Sequence, residues 1–396
     1  MQFSFSDKVK DMKPSAIREI FKSLTDPSVI SFAAGNPAAE SFPIEQMSQI
    51  SSDIFTNNAV PALQYSITEG YTPLRTQISN RLASKFCIDI AANETIITTG
   101  GQQGIDLTAK CLCNEGDTVI CENPSFIGAL NAFRSYNIHL VGVELEDDGM
   151  NIEQLEKALN ENKNTKLIYT IPTFQNPAGI TASLEKRKAV YTLAKKYGVV
   201  ILEDNPYGEL RFAGEEIPTI KSIDTDNIVV YCSSLSKILS AGMRIGYLCG
   251  PAQIIQKVVV TKQVNDVHTN IFFQMLCSEF IDRYGLDDHV AKIKNLYLKK
   301  SSLMLDMLDN NMPEWTHYTR PQGGLFIWCT LPDKYDGDEF ARFAAANKVA
   351  VVPGSTFCPT QGEHSSSFRL NYSTPSDEQI VIGIERLSEI VKSLNK

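Results

Sequence analysis

Short apolar segments alternate with longer amphipathic segments through the middle of this chain. Seven short apolar segments are typical of buried strands, and they span 95–98, 118–121, 138–143, 166–171, 199–203, 228–232 and 245–249. Longer stretches between them repeat apolar residues at helical spacing, over 104–113, 126–135, 152–160 and 183–197. This alternation predicts an α/β fold, in which helices cover a mainly parallel seven-stranded sheet.

The pattern changes near residue 285, where a long amphipathic stretch over about 286–308 begins. Shorter strand-like and helix-like segments follow it, at 324–330, 337–347, 349–352, 368–372 and 377–393. We therefore predict a large domain over 31–285 and a smaller α+β domain over 286–396. Residues 1–30 are predicted to form an N-terminal arm, with an amphipathic helix at 14–24, that also contributes to the smaller domain.

Composition narrows the class of protein. The 396 residues are 43% hydrophobic and 21% charged, and no apolar run is long enough for a bilayer span or a secretory signal. A net charge of −9 argues against nucleic acid or an anionic membrane as a partner. The nine cysteines are scattered and lack zinc-ligand spacing, so we expect reduced thiols, no metal site and a cytoplasmic protein.

One polar stretch combines a lysine with phosphate-binding side chains. Lys237 follows Ser234 and Ser236, and Arg244 comes seven residues later. A lysine amine can form a Schiff base with a carbonyl cofactor, and hydroxyls with a guanidinium suit a phosphate next to that carbonyl. The alternative is a polar loop between two strands, with solvated basic side chains.

Two further candidates follow predicted strands. Gly101 and Gln102 begin an apolar helix, where free N–H groups and the helix dipole favour an anion. Phe126 follows the next strand and could cover a flat aromatic ring, although taken alone a place in the apolar core is the favoured interpretation.

Polar and charged residues also lie at the ends of other predicted strands. Asp204 could pair with a pyridine nitrogen and Tyr207 could donate to a phenolate oxygen, while Asn176 offers an amide. Arg369 lies inside an apolar strand, where a substrate carboxylate or an internal salt bridge would balance its charge. Gly35 permits close backbone approach. Ordinary turn roles remain open for Asn176, Asp204 and Gly35.

Together these segments resemble the class I/II aminotransferases of pyridoxal phosphate fold type I. The motifs that carry the resemblance are Gly-Gly-Gln-Gln at 100–103, Asn-Pro-x-Gly at 176–179, Asp-Asn-Pro-Tyr at 204–207, Ser-x-Ser-Lys at 234–237, Gly-x-Arg at 242–244 and Phe-Arg-Leu at 368–370. Segments 15–20, 63–71 and 323–328 are similar to the branch with 2-aminoadipate, kynurenine and other aromatic aminotransferases. The resemblance covers nearly the whole chain.

The resemblance implies pyridoxal 5′-phosphate as the cofactor and assigns each candidate a role. Lys237 would hold the cofactor as a Schiff base and then move a proton. Asp204 would keep the ring nitrogen protonated, Tyr207 and Asn176 would bond the ring hydroxyl oxygen, and Phe126 would stack on the ring. The residues implied for the phosphate are Gly101, Gln102, Ser234, Ser236 and Arg244.

The resemblance also implies how substrate and a second subunit would bind. Arg369 would bind the substrate α-carboxylate, helped by Asn176 and the backbone at Gly35. Arg18, on the arm, would contact the substrate side chain or its distal carboxylate. Tyr65 would reach the phosphate in the neighbouring subunit, which implies a homodimer with shared active sites.

The implied reaction moves an amino group from an aromatic, 2-aminoadipate-like or large aliphatic amino acid to a 2-oxo acid such as 2-oxoglutarate. A β-lyase or decarboxylase on the same fold is the first alternative, and a non-catalytic regulatory module that senses the cofactor is the second. The chain departs from the family at Ser233, Leu235 and Ala241, where Gly, Phe and Pro are frequent, and at Phe126, where many members carry Tyr.

Overall fold

The computed structural model describes residues 3–10, 26 and 28–395. The predicted arm helix at 14–24 and Arg18 lie outside these residues.

Strands and helices alternate along the chain, as the apolar pattern predicts. The strands are β1 (Ile30–Ser31), β2 (Asn93–Thr99), β3 (Thr118–Asn123), β4 (His139–Glu146), β5 (Gly149–Met150), β6 (Thr165–Thr170), β7 (Val200–Asp204), β8 (Val229–Ser234), β9 (Ile245–Pro251), β10 (His317–Tyr318), β11 (Phe326–Thr330), β12 (Val349–Ala350), β13 (Val352–Pro353) and β14 (Ser367–Asn371). The helices are α1 (Asp7–Lys10), α2 (Ile44–Asn57), α3 (Ala59–Leu63), α4 (Thr72–Phe86), α5 (Gly100–Leu112), α6 (Ile127–Arg134), α7 (Ile152–Glu161), α8 (Leu184–Tyr197), α9 (Ala252–Asn265), α10 (Ile271–Tyr284), α11 (Leu286–Asn311), α12 (Gly337–Ala346) and α13 (Asp377–Ser393).

The larger sheet contains all seven strands that the sequence predicts in this region, and the two-residue β5 extends it. Its strand order is β2-β9-β8-β7-β6-β3-β4-β5. The neighbours from β8 through β7, β6 and β3 to β4 run parallel, whereas β9 is antiparallel to both β2 and β8. The predicted α/β fold with a mainly parallel sheet is therefore confirmed.

A smaller antiparallel sheet forms near the C-terminus, in the order β10-β11-β14-β13. The short strand β1 pairs with β12, so that Ile30 lies opposite Val349. Gly285, whose φ is 70°, directly precedes α11, close to the predicted boundary between the domains. The partition into a large and a small domain stays a prediction.

Local sequence signals explain where several helices begin and end. The Ser183 side chain accepts a hydrogen bond from the Lys186 N–H at the start of α8, and Gly198 ends that helix with a φ of 68°. Ser376 and Gln379 form a reciprocal capping box at the start of α13. Of the helices in the described ranges, none is both long and apolar enough to cross a membrane.

The parallel strands place the predicted site at one edge of the larger sheet. Asp204 is the last residue of β7, Ser234 is the last residue of β8, and Asn176 follows β6. Because these strands run in the same direction, their carboxyl ends meet, and ligands of such sheets bind outside those ends.

Gly246 on β9 shows how closely the sheet contacts the start of α5. A Cβ atom at Gly246 would lie 2.4 Å from the Gly100 carbonyl carbon and 2.6 Å from the Gly101 nitrogen. We expect Gly246→Ala to lower the free energy of unfolding by about 1–3 kcal/mol, because backbone cannot give way as a side chain can. Urea unfolding followed by circular dichroism measures the change.

Gly250 supplies a matched control on the same strand. A Cβ atom there would meet its nearest neighbours in Val230 at 3.5 Å, which is ordinary contact. Gly250→Ala should therefore change the free energy of unfolding by less than about 1 kcal/mol. Equal urea midpoints for the two variants would contradict the crowding at Gly246.

Candidate active site

The turn between β8 and β9 presents Lys237. The Leu235 N–H donates to the Ile245 carbonyl at 3.0 Å, and the Ser234 hydroxyl donates to the same carbonyl at 2.9 Å. The Ser236 N–H donates to the Ser234 hydroxyl oxygen at 3.0 Å. These bonds close the turn tightly and fix the backbone on both sides of the lysine.

The Lys237 amine is placed for nucleophilic chemistry. Its Nζ donates to the Gly35 carbonyl at 2.6 Å, so a backbone group orients it. Burial lowers the pKa of Lys237 to about 8, and the positive charges of Arg369 and Arg244 act in the same direction. A lysine with such a pKa is partly neutral near physiological pH, as a nucleophile must be.

Asp204 places a buried carboxylate at the end of β7, where the side chain is only 3% exposed. The Tyr169 hydroxyl donates to its Oδ2 at 2.8 Å, while Oδ1 accepts no hydrogen bond from the described residues. Burial, with a contribution from the charge of Glu122, raises the pKa of Asp204 to about 7, although the Tyr169 hydrogen bond acts in the opposite direction. The open oxygen is available to a cationic partner.

Asn176 joins two other candidate residues. Its Nδ2 lies 3.3 Å from the Tyr207 hydroxyl, and its Oδ1 accepts from Arg369 Nη1 at 2.8 Å. Burial raises the pKa of Tyr207 above its usual value, which keeps the phenol protonated and able to donate. Asn176 is therefore more than a turn residue, because both ends of its amide orient a candidate site residue.

Arg369 is a buried cation without a carboxylate partner among the described residues. Its side chain, 2% exposed, donates from Nη2 to the Ala33 carbonyl at 2.9 Å. The guanidinium carbon lies 4.1 Å from the Phe326 ring centroid and 5.0 Å from that of Phe357. Its Nε has no hydrogen-bond partner within residues 3–10, 26 and 28–395, and burial lowers the pKa of Arg369 to about 10. The internal salt bridge considered from sequence is absent from the described part of the chain.

An anion-binding cradle lies where α5 begins. Among the described residues, no side chain caps the helix at Thr99. The N–H groups of Gly101 and Gln102 therefore remain available to an anion. Arg244, at a φ of 56°, lies over Gly100 so closely that a Cβ there would be 2.2 Å from Arg244 Nη2. The hydroxyl oxygens of Ser234 and Ser236 are 2.7 Å apart.

The structure places Phe126 beside the candidate site, whereas Tyr65 lies on the surface of the single chain. Phe126 is half-buried at the start of α6, and its ring crowds Gly128, next to the Gln102 side chain, which bonds the Gly128 carbonyl at 2.8 Å. Tyr65 is 81% exposed and contacts the His268 ring edge-on, so this single chain does not bring it into the site.

Two site neighbours were not predicted from sequence. Tyr169 contacts Asp204, and Phe357 packs on Arg369. A hydroxyl near the end of an otherwise apolar strand was an available signal for Tyr169. No local pattern marks Phe357, which reaches the site from the short 3-10 helix Gly354–Phe357 that follows β13.

The donor set fits one planar cofactor that carries an aldehyde, a ring nitrogen and a phosphate. The Lys237 amine suits the aldehyde, the open Asp204 oxygen suits a protonated nitrogen, and the start of α5 with Arg244 suits the phosphate. Crowding at Gly100 and Gly246 shows that this cradle leaves no space for larger side chains.

Comparisons with known proteins agree with this reading. Residues 27–387 match the family model described as aminotransferase class I and II. An aromatic-amino-acid aminotransferase of Thermococcus litoralis is 39% identical over 98% of this chain and 94% of its own length. A 2-aminoadipate transaminase of Thermus thermophilus is 35% identical over 97% of this chain and 95% of its own. The crystal structure of Pyrococcus horikoshii kynurenine aminotransferase, in complex with PMP, is 38% identical with a TM-score of 0.95, covering 99% and 98% of the two chains.

The lowered pKa of Lys237 predicts a pH profile. Below pH 8 the amine is mostly protonated and less reactive, whereas between pH 8 and 10.5 it is mostly neutral while an ordinary lysine is mostly protonated. In protein freed of cofactor, we expect reductive alkylation of Lys237 by a small aldehyde to be half-maximal near pH 8. Mass spectrometry of the Lys237 peptide between pH 6 and 11 measures the rate.

Arginine variants test the cause of this profile. Arg369→Gln removes a positive charge that lowers the pKa, so the midpoint should rise. The same change at Arg342, an exposed residue of α12, is the matched control and should leave the midpoint in place. A wild-type midpoint at the ordinary lysine value would contradict the placement of the amine.

Proposed function

The chain belongs to the class I and II aminotransferases and is a pyridoxal-phosphate-dependent transaminase, and we propose that its amino donors are aromatic, 2-aminoadipate-like or large aliphatic amino acids. The proposed acceptor is a 2-oxo acid, with 2-oxoglutarate as the first candidate, in a ping-pong cycle. Arg369 carries the proposal, because its buried charge lacks a carboxylate partner among the described residues, and the α-carboxylate of either substrate would supply one.

Pyridoxal phosphate, when bound, supplies an electron sink for the bonding electrons released at the substrate α-carbon. In the proposed arrangement, Lys237 Nζ holds the cofactor and then holds or moves the α-proton. Asp204 Oδ1 would hold the ring nitrogen, while the Tyr207 hydroxyl and the Asn176 amide would hold the ring oxygen. Phe126 would stack on the ring. The proposed phosphate ligands are Gly101, Gln102, Ser234, Ser236 and Arg244.

The surroundings of Arg369 support a large donor side chain. Phe326 and Phe357 flank the guanidinium, and the half-buried Trp328 lies 5.9 Å from the Phe357 ring centroid. Such an aromatic wall beside the carboxylate site favours apolar or aromatic substrates over small ones. The relatives named for aromatic amino acids and 2-aminoadipate support the same donor class. Gly35 and Asn176 would help to bind the carboxylate, and Arg18 would contact the side chain.

A different outcome of the same chemistry remains the second candidate. A β-lyase or decarboxylase would use the same lysine and the same buried carboxylate, because the fold alone does not decide which bond at the α-carbon breaks. Incubation with an amino acid and no 2-oxo acid distinguishes the reactions, because a transaminase stops after one turnover whereas a lyase continues.

We propose that two copies of the chain form a homodimer with shared active sites. Apolar side chains on α2, α3 and the following loop face solvent in the single chain, among them Ile44, Phe55, Val60, Leu63 and Ile67. An exposed apolar surface of this extent is typical of a protein interface. Tyr65 lies in the same region and would reach the phosphate in the partner subunit.

We also propose a cytoplasmic location, which cell fractionation would test. All nine cysteines are unpaired, and six of them are buried. Secreted chains of this cysteine content usually form disulfides, so free buried thiols favour a reducing compartment.

A donor panel tests the proposed reaction. The holoenzyme is mixed with single amino acids and no 2-oxo acid, and the visible absorbance of the bound cofactor is followed. We expect aromatic, 2-aminoadipate-like and large aliphatic donors to change the spectrum once per site, and 2-oxoglutarate to restore it. Continuous release of ammonia would instead identify the lyase.

Lys237→Ala is the control for this panel. It removes the Lys237 amine without touching the hydrogen bonds that close the turn. We expect turnover to be lost while the circular dichroism spectrum is unchanged. A variant that kept full transamination would exclude Lys237 from the chemistry.

Subunit mixing tests the shared sites. Tyr65→Ala and Lys237→Ala chains, each poorly active alone, are refolded together after light scattering has established the mass of each. In a mixed dimer one site receives both intact residues, so activity should return toward one wild-type site per dimer. An absence of recovery, or a monomeric mass, would contradict the sharing of sites.

A further inference from the structure

Tyr169 contacts the carboxylate that the proposed cofactor would need. Strands β6 and β7 are parallel neighbours, with Tyr169 opposite Leu202. The tyrosine therefore lies beside β7, at the position two residues before Asp204. The Tyr169 side chain is fully buried, and its hydroxyl donates to Asp204 Oδ2 at 2.8 Å. This is the one hydrogen bond that the described residues give to that carboxylate.

The hydroxyl is held in place by the rigid ring that carries it. The Tyr169 ring packs edge-on against Phe133, with centroids 5.5 Å apart and planes at 71°. Both rings belong to the buried core between the sheet and helices α5 and α6. A fixed phenol that binds one carboxylate oxygen also fixes the rotation of the carboxylate, and therefore the direction in which Oδ1 points.

The bond also opposes the tendency of Asp204 to become neutral. Burial and the charge of Glu122 both favour the protonated acid, whereas the hydrogen bond from Tyr169 favours the anion. Glu122 is itself buried and accepts hydrogen bonds from the Ile171 N–H at 3.1 Å and from Gln175 Nε2 at 3.0 Å. Tyr169 is thus the described group that stabilises the charge on Asp204.

From this geometry we propose that Tyr169 is a positioning residue, which orients Asp204 and keeps it ionised for the protonated ring nitrogen of the cofactor. This inference rests on the proposed function, because the ring nitrogen belongs to bound pyridoxal phosphate. In this proposal Tyr169 acts through Asp204 rather than by contact with substrate or cofactor.

Tyr231, on the other side of β7 from Tyr169, provides a matched control. It is also fully buried, lies on β8, and its hydroxyl accepts from Asn205 Nδ2 at 2.9 Å rather than bonding Asp204. Tyr169→Phe and Tyr231→Phe each remove one buried hydroxyl from the same sheet. A purely structural role predicts the same consequences for both variants.

The experiment measures cofactor affinity, steady-state kinetics and unfolding for the two variants. For Tyr169→Phe we expect pyridoxal phosphate, titrated into cofactor-free protein, to bind about 5- to 30-fold more weakly. We expect kcat to fall about 10- to 100-fold, with the KM for the amino donor within about threefold. Tyr231→Phe should retain the affinity and kcat of the wild type, with a urea midpoint close to that of Tyr169→Phe.

A double-mutant cycle with Asp204→Asn makes the test sharper. If Tyr169 acts through the carboxylate, Tyr169→Phe should have little further effect on affinity or kcat once Asp204 is uncharged. Equal losses in Tyr169→Phe and Tyr231→Phe, or additive losses in the double variant, would overturn the proposal. A wild type that binds pyridoxal phosphate but converts no amino donor would contradict the proposed function, and the affinity comparison would still decide the role of Tyr169.

Discussion

The positive charge of Arg369 inside the protein is the constraint on which the rest of the site depends. A buried cation without a counter-ion is costly, and here an amide oxygen, a backbone carbonyl and two aromatic faces offset that cost only in part. The remaining deficit favours binding of a carboxylate. The same charge reaches Lys237, whose amine it helps to keep neutral. Substrate recognition and the readiness of the nucleophile therefore have a common physical origin.

Burial has opposite consequences for the charged groups on the two sides of the site. Around Lys237 and Arg369, removal from water disfavours the charged form of a base, which suits the lysine. Around Asp204 the same removal disfavours the carboxylate, which does not suit a partner for a ring cation. The Asp204 carboxylate consequently needs a hydrogen-bond donor to stay charged, whereas removal from water by itself favours the neutral lysine. This asymmetry is consistent with a tyrosine hydroxyl buried beside Asp204 and with aromatic rings packed beside Arg369.

Much of this could be read from the sequence, for identifiable reasons. Parallel strands buried on both faces are short apolar runs, and polar residues at their ends, such as Asp204 and Asn176, stand out against them. Contacts between distant segments leave no such pattern. The pairing of β1 with β12, the antiparallel course of β9 and the packing of Phe357 on Arg369 depend on tertiary geometry. The role proposed for Tyr65 depends on a second chain, which no single sequence describes.

The segment from Ile30 to Asn36 contacts strand β14, which lies far from it in the sequence. Phe32 accepts a backbone hydrogen bond from Asn371 at 2.8 Å, and Ala33 bonds Arg369 from 336 residues away in sequence. The Gly35 carbonyl that receives the Lys237 amine belongs to this segment. During synthesis Arg369 and Asn371 follow every strand of the larger sheet, so their bonds to Ala33 and Phe32 cannot form until that sheet has been translated. A nascent chain can thus form its parallel sheet before Arg369 can reach Ala33, so the sheet and the proposed carboxylate site need not form at the same stage of synthesis.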